Sequence, residues 1–133
     1  MRYTKITIIT SSRPAQADVN HELQWLAGSL GLFGLRDKEK SCFRIFIVLV
    51  NALQKGERLS SDELADRTKL TRGTVVHHLN HLTESGIVRS ERSKYFLRMD
   101  SLEQMVDYMK QDADNAWLRI KEVAKDVDSK LGL

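Results

Sequence analysis

The stretch LSSDELADRTKLTRGTVVHHLNHLTESGIV, residues 59–88, decides the fold that we predict for this chain. It opens with Ser60 and Glu63 in the spacing of a capping box, where each side chain bonds the backbone amide of the other residue. Thr71 is placed to cap a second helix, and Gly86 is suited to the left-handed residue that ends one. The stretch therefore predicts two short helices joined by a tight turn.

A basic hairpin is predicted directly after these helices. The runs IVRS and YFLR are rich in β-prone residues and are joined by ERSK, four polar residues. Two helices, a short turn and a basic hairpin make a helix-turn-helix followed by a wing. We therefore expect a recognition helix over residues 71–85 and a wing over residues 87–98.

The segments before this stretch predict a strand and two further helices. Tyr3–Thr10 is rich in Ile and Thr, which favours a short strand. Asp18 or Asn20 is placed to cap a helix running to about Leu30. Asp37 is expected to cap the next helix, which contains CFRIFIVLVNAL and is apolar nearly all round, as in a helix at the centre of a core. Gly56 is expected to end it, and a buried strand is the weaker alternative.

The apolar stripe of the first of these helices is expected at Val19, Leu23, Leu26 and Leu30. The last segment predicts a much longer helix. Ser101 and Gln104 have the spacing of a second capping box, and the helical pattern then runs to about Leu131.

Apolar residues recur along this final helix at spacings of mostly four and three, as in an interface between helices. A helix of roughly 30 residues is about 45 Å long and outruns a small winged domain. A homodimer is the economical explanation, and a helix folded back on its own chain is the alternative. The predicted dimerisation residues are Leu102, Val106, Met109, Ala113, Ala116, Trp117, Ile120, Val123 and Val127.

The fold class that follows is mainly α with a small β-wing: a winged helix-turn-helix with a long C-terminal dimerisation helix. The expected organisation is an N-terminal strand or arm over residues 1–17, a DNA-binding domain over residues 18–100 and the dimerisation helix over residues 101–133.

Composition agrees with a soluble protein, since 29% of the 133 residues are charged and 41% are hydrophobic. Cys42 is the only cysteine, which excludes an intrachain disulfide and fits a reducing cytoplasm. No signal peptide and no apolar run of transmembrane length is seen.

Charge is distributed unevenly along the chain. Residues 67–98 carry seven Lys or Arg against two Glu, a net charge of +5, whereas residues 99–133 carry a net charge of −3. A basic block beside an acidic one indicates that the first block meets a polyanion. A solvated charged face is the simpler alternative, which charge alone does not exclude.

The stretch over residues 59–88 resembles the winged helix-turn-helix of ArsR-like and MarR-like transcriptional regulators, including archaeal relatives. It matches their Leu-Ser-x-x-Glu-Leu-Ala, then Leu-[Ser/Thr]-x-x-Thr-Val-x-x-His-Leu-x-x-Leu, then Gly-[Leu/Ile]-Val. The resemblance extends over residues 59–98 with the wing and leaves residues 1–36 and the final helix uncovered. It implies dimeric, sequence-specific binding in the major groove of double-stranded DNA.

The helical wheel of the recognition helix separates its two faces. Val75, Leu79 and Leu82 fall within about 60° of one another and face the core, with His78 at the margin. The opposite face is offered to the groove, where Arg72 is the candidate for guanine or phosphate and Gly73 leaves room for close approach. With the wing arginines and lysine, the candidate DNA-binding residues are Thr71, Arg72, Gly73, Thr74, His77, Asn80, His81, Arg89, Arg92 and Lys94.

Other functions fit the sequence less well. His77 and His81 have the i, i+4 spacing of metal ligands, but they lie on the DNA-facing side, and no thiolate pair accompanies them. We therefore predict no metal site and no cofactor. No phosphate-binding glycine loop or nucleophile motif is present, so no enzyme is predicted. The alternatives are a winged-helix module for protein assembly and a metal- or small-molecule-responsive regulator with a pocket lined by Trp25 and Trp117.

Overall fold

The computed structural model describes residues 5–33 and 40–133 of the chain. These residues form five helices and two strands, and the chain divides into two compact units, one ending at Arg98 and the other beginning at Met99. The elements are α1 (Val19–Ser29), α2 (Ser41–Lys55), α3 (Ser61–Thr68), α4 (Arg72–Glu84), β1 (Val88–Glu91), β2 (Lys94–Leu97) and α5 (Leu102–Leu131). This mainly α architecture with a hairpin after two short helices confirms the predicted winged helix-turn-helix.

Helix α2 is the centre of the first unit, as its sequence predicts. It contacts α3, α4 and β2, while α3 contacts α4 and α4 contacts β1. Ile45, Phe46 and Leu49 on α2 are almost fully buried, and Cys42 is buried with them. Apolar residues of the surrounding elements and loops are buried as well: Leu59, Leu64, Val75, Leu79, Leu82, Ile87, Val88 and Leu97.

Helix ends follow the local signals closely. Asp18 caps α1 by accepting the His21 amide, and this bond lowers the pKa of the Asp18 carboxyl. Gly56, with φ of 70°, ends α2 in the left-handed conformation that glycine adopts without strain. At the start of α2 the cap position is Lys40, and its side chain makes no capping bond. The predicted cap Asp37 lies outside the described residues.

The helix-turn-helix is held by polar contacts at both ends of α3. The capping box is complete, because the Glu63 amide donates to Ser60 Oγ and the Ser60 amide donates to Glu63 Oε1, each at 3.1 Å. At the other end the Arg44 guanidinium donates to the Thr68 carbonyl, and Thr68 Oγ1 donates to the Leu64 carbonyl at 2.7 Å. The Thr68 carbonyl, one of the last four of α3 and so without a partner inside the helix, thereby gains a donor from α2.

The wing is a two-stranded antiparallel sheet with Val88 opposite Leu97 and Glu91 opposite Lys94. Its turn is shorter than the four-residue connection predicted, because Glu91 and Lys94 belong to the strands. Arg92 and Ser93 alone form the turn, with φ of 52° and 63°, the two positive values of a type I′ hairpin.

A third chain segment joins the edge of the wing. Leu59 forms an isolated antiparallel bridge with Tyr95, in which each amide donates to the carbonyl of the other residue, at 3.1 and 2.6 Å. This bridge ties the segment before α3 to β2.

Three further local predictions were wrong. Residues 5–10 form no strand; their backbone instead bonds to helix ends, with the Lys5 amide on the Glu84 carbonyl and the Ile9 amide on the Ser29 carbonyl. A strand needs a partner, and none of the described residues supplies one here; Tyr3 and Thr4 lie outside the described residues. Val19 is 72% exposed at the first turn of α1, so the predicted apolar stripe does not begin there.

The third correction concerns the second capping box, of which only half forms. The Gln104 amide donates to Ser101 Oγ, but Gln104 Oε1 accepts from the amide of Asp100. Helix α5 extends over the predicted range, and it contains two buried residues, Met105 and Met109. No helix in the described part of the chain combines the length and the apolarity that crossing a bilayer requires.

Candidate nucleic-acid interface

The first turn of α4 presents free amides and no acidic residue. Thr71 caps it by accepting the Thr74 amide at 3.2 Å, and the Thr71 hydroxyl donates to Thr74 Oγ1 at 2.9 Å. Each hydroxyl is at once a donor and an acceptor, so this pair retains hydrogen-bonding capacity for a base or phosphate. The positive end of the helix dipole also favours a phosphate here.

Arg72 lies at this end of α4 and is held by a neighbour that the sequence did not reveal. Its Nε lies 3.4 Å from Asp62 Oδ1 on α3, and both side chains are more than 70% exposed. An exposed pair of this kind is weak and is easily exchanged for a phosphate or a guanine edge. Asp62 thus lies beside the Arg72 side chain without removing it from solvent.

Gly73 is the feature of α4 that packing does not explain. A Cβ added at Gly73 would meet no atom within 4 Å, and the residue does not have the positive φ that demands glycine. A helix with glycine at an interior position is less stable than the same helix with alanine there. The fold would therefore accept a side chain at position 73, although the sequence has glycine there. The absence of a side chain leaves the helix surface at Gly73 open to close approach by a ligand.

The exposed residues farther along α4 face a cleft rather than a flat surface. His77 and Asn80 are exposed and His78 is half-buried, in agreement with the helical wheel. His81, which was predicted beside the outer face, is half-buried as well. All four line a cleft of about 410 Å³ whose other wall includes Leu32. The remaining lining residues are Gly31, Cys42 and Glu84.

The histidines in this cleft do not form a metal centre in the described structure. The rings of His77 and His78 meet edge to face, with centroids 5.3 Å apart. Within residues 5–33 and 40–133, no three His, Cys, Asp or Glu side chains are arranged to hold a metal ion.

The charges of the wing divide into paired and unpaired groups. Lys94 Nζ donates to Glu63 Oε1 at 2.6 Å, and this bond is the main reason that the pKa of Glu63 falls from 4.5 to about 2. Glu91 is paired with Arg58, whose guanidinium also lies 3.9 Å from the centre of the Phe96 ring. Lys94 remains a candidate DNA contact, but its ammonium already bonds the capping box of α3.

Two wing arginines are free of such partners in the described part of the chain. Arg89 and Arg92 are exposed, and Arg92 occupies the turn itself. The carboxylates of residues 57–66 neutralise much of the basic block, through the pairs Arg67–Glu57, Lys69–Asp66, Arg72–Asp62 and Lys94–Glu63. The net charge of +5 therefore overstates the charge that remains unpaired in this block, which includes Arg89 and Arg92 of the wing.

The two tryptophans proposed for an effector pocket have different environments. Trp25 donates from Nε1 to the Ser12 carbonyl at 2.8 Å and lines a cleft of about 390 Å³ with Ile9, Phe33 and Lys40. Trp117 on α5 is 67% exposed.

Comparison with known proteins supports the assignment of a helix-turn-helix. Residues 47–90, about a third of the chain, match the family described as bacterial regulatory protein, arsR family. The match covers α2 from Ile47 onward, the whole helix-turn-helix and the first three residues of β1. No curated protein and no solved structure matches this chain. The matched segment is a helix-turn-helix of the kind that DNA-binding transcriptional regulators carry.

Proposed function

We propose that this protein is a sequence-specific transcriptional regulator that binds a near-palindromic DNA site as a homodimer and represses by occupying a promoter. The observation that carries the proposal is the start of α4, which is capped, free of acidic residues and open at Gly73. The arsR-family match over residues 47–90 supports it. We further propose that the whole chain is a cytoplasmic protein of the broader ArsR-like and MarR-like superfamily, of archaeal type.

In the proposed complex α4 enters the major groove and the wing follows the adjacent backbone. Arg72 reads a base edge or holds a phosphate, and Thr74 contacts a base or a thymine methyl group. His77, Asn80 and His81 flank the groove farther along, while Thr71 and Gly73 bring the amides of the first turn close to phosphate. Arg89, Arg92 and Lys94 contribute phosphate contacts that make the affinity fall with salt.

The dimer in this proposal is formed through α5. Its apolar residues are left exposed over the second half of the helix, where Trp117, Ile120 and Val123 are each more than 55% exposed. A two-fold dimer would set two α4 helices about 34–36 Å apart, on successive major grooves of one face of the duplex.

Selection of bound duplexes from a random library tests the function directly. The expected product is an inverted repeat whose half-sites are centred about one helical turn apart. Arg72→Ala should relax the preference at one base of each half-site at a cost of about 1–3 kcal/mol, whereas Asp62→Asn, which frees Arg72, should leave that preference intact. Failure to enrich any sequence would contradict the proposal and would favour a winged-helix module for protein assembly.

A further inference from the structure

The second half of α5 carries an apolar face that begins where the buried part of the helix ends. Met105 and Met109 are buried, whereas Trp117, Ile120, Val123, Val127 and Leu131 are between 44% and 67% exposed. Building on the proposed homodimer, we propose that this half of α5 pairs antiparallel with α5 of a second copy, in the single register that sets Ile120 against the partner's Val123.

The pattern of the helix defines which residues meet. The inner positions at alternating spacings of three and four are Ala113, Ala116, Ile120, Val123, Val127 and Lys130. One flank of this seam carries Trp117 and Ala124, and the other flank carries Arg119 and Asp126. When two such helices run in opposite directions, each flank lies against the same flank of the partner.

In the proposed register every large residue faces a smaller one. Ile120 faces the partner's Val123, Ala116 faces the partner's Val127, and Ala113 faces the stem of the partner's Lys130. The contact repeats by two-fold symmetry over residues 113–130, a length of about 27 Å. On the first flank, the Trp117 ring covers the partner's Ala124.

The second flank is electrostatically self-complementary in this register. It places Arg119 beside the partner's Asp126 twice in each dimer. Arg119 makes no ion pair within the described residues, and Asp126 bonds its own Lys130 through Oδ2 at 2.9 Å, which leaves Oδ1 for the partner's guanidinium. A patch that complements its own inverted copy is what a two-fold dimer requires.

Neighbouring antiparallel registers lack this complementarity. A shift of one heptad in one direction sets Arg119 against the partner's Arg119 and Asp112 against the partner's Asp126. A shift in the other direction sets Asp126 against the partner's Asp126. Like charges at such flanking positions disfavour a pairing.

A parallel pairing is disfavoured by the same sequence. It places Lys130 directly against the partner's Lys130 at an inner position. It also puts Arg119 beside the partner's Ala124 and Asp126 beside the partner's Leu131, so no ion pair forms across the seam. The antiparallel register is therefore the one that both size and charge favour.

Cysteine cross-linking of the full chain distinguishes these arrangements. Ala116→Cys and Val127→Cys are made separately, one with a purification tag, and oxidised alone and as a mixture. The proposed register brings position 116 against the partner's 127, while two copies of either position lie about 16 Å apart along the axis, beyond disulfide reach. We expect a cross-linked dimer only in the mixture, with the unsubstituted chain as the control for Cys42.

Charge exchange gives a second readout that does not depend on cysteine. Arg119→Asp and Asp126→Arg should each weaken dimerisation about tenfold, because each homodimer then has two like-charged pairs. Mixing the two variants restores both opposite-charge pairs, so a heterodimer should form with about the original affinity, as measured by sedimentation equilibrium.

The outcomes separate this inference from the function on which it rests. Cross-linking of either single variant alone, or a dimer with no cross-link in the mixture, overturns the register and leaves the proposed regulator intact. A chain that stays monomeric overturns both the register and the proposed dimer. If the expected cross-link forms but no DNA sequence is enriched from the library, the proposed function is overturned and the register stands.

Discussion

Replacement of Gly73 by alanine should change stability and DNA binding in opposite directions. The residue is the second of α4, its φ is not positive, and the new Cβ would meet no atom within 4 Å. Alanine in a helix interior is favoured over glycine by about 0.5–1 kcal/mol, and the first turn should give the lower end of that range. The Gly73→Ala chain should therefore be about 0.5 kcal/mol more stable in urea unfolding.

DNA affinity should fall in the same variant. A methyl group placed where the helix meets the duplex must displace DNA or helix, and added volume in a close contact costs about 1–3 kcal/mol. A loss of about tenfold per recognition helix follows, measured by fluorescence anisotropy on the duplex selected from the library. Asn115→Ala on α5 is the control, since it favours helix formation at a position outside the residues proposed to bind DNA. If Gly73→Ala bound that duplex as tightly as the original chain, close approach at Gly73 would be refuted.

Three further changes test other parts of the structure. Arg92→Gln should flatten the salt dependence of binding to a random duplex by about two units for a dimer, whereas Arg92→Lys should preserve the slope; equal slopes for all three chains would remove Arg92 from the interface. Lys69→Gly should raise the unfolding free energy by about 1 kcal/mol, because Lys69 has φ of 60°, in the left-handed region that favours glycine. Lys55→Gly within α2 is the control and should lower the unfolding free energy. A destabilised Lys69→Gly chain would contradict this reasoning. Glu63 has its pKa lowered from 4.5 to about 2, so the stability it contributes is complete above pH 4.5 and is lost as the pH falls through about 2. Glu63→Gln should weaken that acid dependence in urea titrations at a series of pH values, and an identical pH profile would show that Glu63 does not titrate in this way.

Local signals in the sequence predicted the parts of the site that depend on adjacent residues. The capping box at Ser60, the cap at Thr71 and the left-handed Gly86 all act within a few positions, and the structure places each as expected. The exposed face of α4 was predictable for a similar reason, since helical periodicity fixes which side of a packed helix meets solvent.

Contacts between distant positions were not predictable in this way. Lys94 reaches Glu63 and Arg58 stacks on Phe96 only because the wing folds back beside the start of α3. The prediction of an N-terminal strand was wrong for a related reason. The strand propensity of Ile8 and Ile9 does not show whether a partner strand exists. Ion pairs between distant positions decide which Lys and Arg side chains remain available to DNA. Counting charged residues in the sequence cannot reveal these pairs.

The attachment of β2 limits how this wing can be exchanged. A hairpin grafted from another protein would have to supply an ammonium at position 94 for Glu63 and a strand backbone at position 95 for the bridge to Leu59. The turn at Arg92 and Ser93 lies outside both of these attachments. Redesign of DNA preference, in the laboratory or by natural drift, is therefore expected to begin at that two-residue tip and to leave the rest of the hairpin in place.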